Sequence, residues 1–424
     1  MYLLFLLTHS ITDVGEKLMK FYRQMITCLT GIGYLIVILF AVQTFHEAIP
    51  EKIYVKAGEA VEYNFDVPVT VVLKDDATEV FENSTGSSLA EHPAYTVTCK
   101  LFGVFPVKDV EVMLVEGDSV FASGMQVGIY TKMDGVLVIG IGEVPITGGS
   151  EAKPAENLVK KGDYIVSLNG IEIDEKEELA SLIDEYGAEQ ENLGIMRNGE
   201  YIEVLTEPVK SAEDTYMLGI WVRDDLAGIG TLTYYTKDGN FGALGHPVSD
   251  GDTGEVIDME EGDLYETTII GIQKGESGSP GELSGIINYS KGHRIGTIEE
   301  NTGIGIYGVL DGNLDTMPVV NSYEAAYKQE IQLGKATILS GFTGTVESYE
   351  IEIKSLDYSG REANKGILFE VTDPELLELT GGIVQGMSGS PILQNGKIIG
   401  AVTHVLVSDP TSGYGIFIEN MLEQ

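Results

Sequence analysis

The stretch Met25–Phe45 contains no charged residue and is long enough to cross a bilayer as a helix. In hydrocarbon, loops and open sheet edges leave backbone groups unpaired, so a helix is the one structure open to this run. Lys17, Lys20 and Arg23 precede it, and Glu47 and Glu51 follow it. The excess of positive charge before the run predicts a cytoplasmic tail over residues 1–24, a transmembrane anchor over 25–45, and everything beyond outside the cytoplasm. A cleaved signal peptide is the competing reading, but no small-x-small cleavage site follows the run. Met19 is an alternative start that leaves a short basic tail.

The remaining chain reads as mostly β. Its Gly 52, with many Val, Ile, Thr and Tyr residues, points to short strands and tight turns. The formal net charge of −40 repels phosphate backbones, so nucleic acid is not an expected partner. Cys28 in the apolar run and Cys99 in a predicted strand cannot make a disulfide framework. With no Cys/His cluster at ligand spacing, neither a metal nor a cofactor is expected. Residues 46–121 read as a β-rich spacer module, with a turn at Asn83-Ser84-Thr85-Gly86.

Residues 122–208 follow a different pattern. Gly135–Gly140 is a buried strand, and Pro154–Lys161 a short helix closed by Gly162. Asp163–Leu168 is a strand ending in the Asn169-Gly170 turn. Leu179, Leu182, Ile183 and Tyr186 share one helix face. Together with Gly124-Met125-Gln126-Val127-Gly128-Ile129 and Lys161-Gly162-Asp163-Tyr164-Ile165, these elements resemble a PDZ domain of the bacterial protease type. The resemblance implies an α+β domain with a groove between a strand and the Leu179–Tyr186 helix, where a peptide adds as an extra strand. It puts the peptide-binding positions at Gly124, Val127, Gly128 and Ile129.

Residues 209–424 are β-dense and carry the chemistry. Gly386-Met387-Ser388-Gly389-Ser390-Pro391 sets a serine between glycines, ahead of a hairpin with an Asn395-Gly396 turn. The glycines permit a sharp turn and close approach of a substrate carbonyl. In such a turn the N–H groups of Ser388 and Gly386 can point at a developing oxyanion. A plain Ser-Gly loop capping a hairpin is the bland alternative. His246 sits in a strand-to-loop break set by Gly245 and Pro247, and shares the segment with His293 and His404. A second copy of the serine motif, Gly275-Glu276-Ser277-Gly278-Ser279-Pro280, forms a faint internal repeat. The repeat predicts two related β-barrels, the double-barrel plan of chymotrypsin-like peptidases. Ser277 has no immediate strand after it, which favours Ser388 as nucleophile.

The order of anchor, PDZ segment, Ala243-Leu244-Gly245-His246-Pro247-Val248 and Gly386–Pro391 resembles the SpoIVB serine peptidase family of endospore-forming bacteria. The resemblance implies a signalling endopeptidase acting in the forespore intermembrane space. It implies self-cleavage, and cleavage of a membrane-bound regulator of an intramembrane metalloprotease that switches on late mother-cell sigma factor processing. It assigns Ser388 as nucleophile, His246 as base and Asp373 as triad acid. The residues leave the acid open: Asp373 precedes Pro374 and a short helix, which suits an N-cap, and Asp250 lies near His246 in the chain. The reading from a different class is a membrane-anchored PDZ scaffold with an inert barrel domain.

Overall fold

The computed structural model describes residues 2–56, 67–74, 94–115, 117, 119–257, 259, 261–312, 314 and 321–424. The chain divides into two compact units, one of residues 1–116 with 357–359 and one of the rest.

In the first unit, Tyr2–Glu47 is one continuous helix, so the tail expected ahead of the anchor is helical as well. Its Tyr22–Glu47 part is long and apolar enough to cross a membrane. The hydroxyls of Thr27, Thr30 and Thr44 fold back onto the helix carbonyls of Arg23, Ile26 and Phe40. This satisfies polar groups that lipid would leave unpaired. A four-stranded sheet follows, in the order Lys52–Lys56, Phe105–Val115, Ala94–Leu101, Val69–Leu73. Ile53, Val97, Cys99, Val110 and Val112 form its core. The expected turn at 83–86 lies outside the described residues.

The second unit is built on two rings of strands. Gln126–Ile141, Gly262–Gln273, Arg294–Thr302, Gly305–Leu310, Asn240–Ala243 and Ile220–Tyr235 pair antiparallel in that order, and the last pairs with the first. Val127, Ile129, Leu232, Phe241, Leu264 and Ile298 fill this barrel. Gly334–Ser340, Glu347–Leu356, Ile367–Val371, Ser412–Phe417, Lys397–Val405 and Pro391–Gln394 close a second antiparallel ring in the same way. The fold is therefore the expected double β-barrel. A short strand, Ser119–Ala122, pairs with Ile220–Tyr235 of the first barrel and with Ser322–Ala325. That last strand pairs with Lys397–Val405 of the second barrel.

The PDZ-like elements are inserted into the first barrel. Gln126–Ile141 starts as a barrel strand, paired to Ile220–Tyr235 through residues 126–132, and continues beyond a break as a strand paired to Tyr164–Leu168. Gly135, at φ +91°, lies in that break, and a Cβ there would press on the Ile165 carbonyl oxygen at 2.7 Å. The inserted domain buries Val136, Ile165, Leu179, Ile183, Leu193 and Ile195 in a core of its own. The first turn of its Lys176–Tyr186 helix is tied to the return strand, because Asp224 accepts from the Lys176 amide at 3.0 Å. Residues 119–132 thus belong to the barrels rather than to a PDZ segment beginning at 122.

Candidate active site

The loop of the candidate nucleophile Ser388 hangs between the strands Val384–Gln385 and Pro391–Gln394. Gly386 and Gly389 adopt φ of +99° and +95°, a region that L side chains rarely enter. A Cβ on Gly389 would overlap the Thr231 carbonyl oxygen and sit 2.7 Å from the Leu244 nitrogen. Within the loop, the Met387 amide donates to Val384 and the Ser390 amide to Met387, at 3.1 and 3.0 Å. The Gly389 amide donates to Val402 at 2.7 Å. The Ser388 amide donates to no backbone acceptor among the described residues, which leaves it available to an oxyanion.

The loop's carbonyls are held from the other barrel. The Thr231 amide donates to the Ser388 carbonyl at 2.9 Å, and its hydroxyl to the Gly386 carbonyl at 2.8 Å. The Thr233 hydroxyl donates to the Gly389 carbonyl at 2.8 Å. Because the Thr231 proton is committed to Gly386, that hydroxyl can only accept from Gln126 Nε2, which lies 3.0 Å away. Sequence reading missed this clamp. A threonine in a β-run looks like an ordinary strand former.

His246 arrives from the first barrel. Leu244 and Gly245, at φ of +67° and +73°, turn the chain out of the Asn240–Ala243 strand. A Cβ on Gly245 would meet Thr403 and Ile416 methyls at 2.8 and 2.9 Å, so glycine lets the barrels approach here. His246 Nδ1 donates to the Pro247 carbonyl at 2.8 Å. The proton therefore sits on Nδ1 and the lone pair on Nε2, the tautomer a general base needs. Burial holds the His246 pKa below the usual histidine value, against the smaller raising effect of the Pro247 bond.

His246, Ser388 and Gly386 line one cleft of about 570 Å³, with Leu244, Val384 and Val405 among its apolar walls. Ser388 Oγ donates to the Thr403 carbonyl at 2.9 Å. His404, which sequence reading left without a role, lines the same cleft. Its ring lies 5.2 Å from that of His246, centroid to centroid. The only sequence signal for it was its place in a β-run beside Thr403.

Among the described residues, no carboxylate hydrogen-bonds His246 or Ser388. Asp373 is the N-cap of the Pro374–Thr380 helix. Its Oδ1 accepts from the Glu375 and Leu376 amides at 2.9 and 3.1 Å, and its Oδ2 from the Glu350 amide at 3.1 Å. The acid role that the family resemblance implies for Asp373 is not supported by this geometry, since one oxygen serves the helix cap and the other the Glu350 amide of the neighbouring strand. Asp250 is buried and bound to Arg223 at 2.6 Å, and its Oδ1 accepts from the Asp252 and Thr253 amides. The four expected peptide-binding positions are also displaced. Val127 and Ile129 lie in the first barrel's core. Gly128 faces Ile287 and Thr267, and Gly124 abuts Leu339. Val127, Gly128 and Ile129 face barrel neighbours because residues 126–132 pair as a barrel strand.

Residues 214–422 match the family model described as SpoIVB peptidase S55. None of the curated proteins compared matches the chain. Among solved structures, the chain is similar to the PDZ domain of an SdrC-like protein from Listeria monocytogenes, with 16% identity over 22% of this chain and 90% of that one, at a TM-score of 0.18. It is similar to the active form of the Rv3671c protease from M. tuberculosis, with 14% identity over 47% and 74%, at 0.25. It is also similar to the HtrA-type protease AlgW with a decapeptide, with 10% identity over 71% and 63%, at 0.27.

Proposed function

We propose, because residues 214–422 match the family model described as SpoIVB peptidase S55, that the whole chain is a membrane-anchored endopeptidase of sporulation signalling. It cleaves itself and a membrane-bound regulator of an intramembrane metalloprotease, and so leads to late mother-cell sigma factor processing. The observation that carries the reading is one cleft shared by Ser388 from one barrel and His246 from the other.

In the reaction, Ser388 Oγ leaves the Thr403 carbonyl and gives its proton to His246 Nε2 as it attacks the scissile carbonyl. The Ser388 and Gly386 amides take the oxyanion. His246 then returns the proton to the leaving amine, and water repeats the sequence on the acyl-enzyme. The apolar helix anchors the chain, and the basic residues before it favour an extracytoplasmic peptidase, in the forespore intermembrane space. The inserted PDZ-like domain takes a peptide segment of the substrate by strand addition. Self-release tests this. Membranes carrying the wild-type chain should shed a soluble C-terminal fragment, and those carrying His246→Ala should not. Equal shedding by both would refute self-cleavage at this site.

A further inference from the structure

The base in this cleft has its tautomer set by a backbone carbonyl, and no carboxylate among the described residues hydrogen-bonds its ring. What abuts that ring is a second imidazole. His404 lies on Lys397–Val405 next to Thr403, the residue whose carbonyl holds the nucleophile. The two rings are 5.2 Å apart and tilted by 43°. His404 Nδ1 is buried and has no hydrogen-bond partner among the described residues. A polar atom so placed costs stability that a carbon would not, so packing alone does not account for a histidine. The charged or titratable groups that act on it are His246, and Lys365 with Glu362, which pair with each other at 2.8 Å. Burial first, and His246 second, push its pKa down to about 4, so the ring is neutral where a histidine base works.

We propose that His404 is the positioning residue of the general base: its neutral ring fixes the plane of His246, and its dipole stabilises the imidazolium where other such sites use a carboxylate. The proton passes from Ser388 Oγ to His246 Nε2 and on to the leaving group; His404 neither gives nor takes one. The inference rests on Ser388 and His246 being nucleophile and base.

A fluorophosphonate probe tests it on the full-length chain. In labelling, the Ser388 Oγ–P bond forms, the P–F bond breaks with loss of fluoride, and the proton goes to His246. The rate is followed from pH 5 to pH 9, with the limiting rate separated from probe affinity. His404→Phe keeps a ring but no dipole. It should lower the limiting rate about tenfold or more at similar affinity, and move the acid limb to lower pH as the imidazolium loses support. His404→Asn keeps a dipole near Nδ1 and should be the milder change. A merely space-filling His404 reverses that order, because phenylalanine is the closer shape; that order, or an unchanged rate and acid limb in His404→Phe, overturns the proposal. If His404→Phe does not fold, as judged by thermal melting, His404→Leu against His404→Asn makes the same comparison. Labelling that survives His246→Ala, or a wild-type chain that does not label, overturns the underlying reading and this one with it. Labelling that needs His246 and ignores His404 overturns this one alone.

Discussion

The Thr231 hydroxyl donates to the Gly386 carbonyl across the two barrels at 2.8 Å. One threonine on the first barrel therefore holds the shape of the second barrel's Gly386–Gly389 loop, since its amide also binds the Ser388 carbonyl. Thr231→Val keeps the shape and removes the hydroxyl, leaving the Gly386 carbonyl and Gln126 Nε2 short of a partner. That should cost about 1–3 kcal/mol and slow fluorophosphonate labelling, whereas Thr231→Ser should restore both. Thermal melting and labelling rates check it; a wild-type rate in Thr231→Val would show that the clamp is idle.

Much of this site was legible because glycine has few uses. The Gly386–Gly389 spacing and the Gly245-His246-Pro247 break marked the candidate nucleophile and base, and the structure puts both residues in one cleft. The barrels were legible as a repeat of turn residues. The PDZ insertion was not, because Gln126–Ile141 and Ile220–Tyr235 run from barrel into insert without a loop to announce the change. Asp373 shows the reverse case: Asp before Pro374 spelled out a helix cap, and the cap is what the backbone amides confirm.

The insertion makes a prediction about fragments. A fragment of residues 209–424 contains both catalytic candidates but lacks Val127 and Ile129, which lie in the first barrel's core. It should be insoluble or molten, whereas residues 117–424 should melt cooperatively. Cooperative melting of the shorter fragment would contradict the strand assignment.

For Asp373, the geometry expects a stability effect and no catalytic one. Asparagine caps a helix about as well as aspartate but cannot also accept from the Glu350 amide, so Asp373→Asn should lose no more than about 0.5–1.5 kcal/mol and label like wild type. Asp373→Ala should lose about 0.5–2 kcal/mol with its labelling rate preserved at temperatures where it is folded. A large loss of labelling in a stable Asp373→Asn would restore the triad role.

The buried histidines give stability a sign with pH. His404 has a folded pKa of about 4, against about 6.5 when unperturbed, and that of His246 is also lowered. The unfolded chain therefore takes up protons first as pH falls. The neutral rings' contribution is complete above about pH 6.5 and is lost progressively towards pH 4. Wild type should lose more melting temperature between pH 7 and pH 5 than His404→Phe does. Equal losses would mean that His404 is as well solvated folded as unfolded.

The most direct test of the whole account is which serine reacts. Ser277 is exposed and its hydroxyl donates to the Ser408 carbonyl at 2.8 Å, whereas Ser388 shares the cleft with His246. Fluorophosphonate labelling of the full-length chain, with the adduct located by peptide mass spectrometry, should place it on Ser388. Labelling should vanish in Ser388→Ala and persist in Ser277→Ala, because removing a nucleophile costs several orders of magnitude in rate. An adduct on Ser277, or labelling that survives Ser388→Ala, would contradict the account.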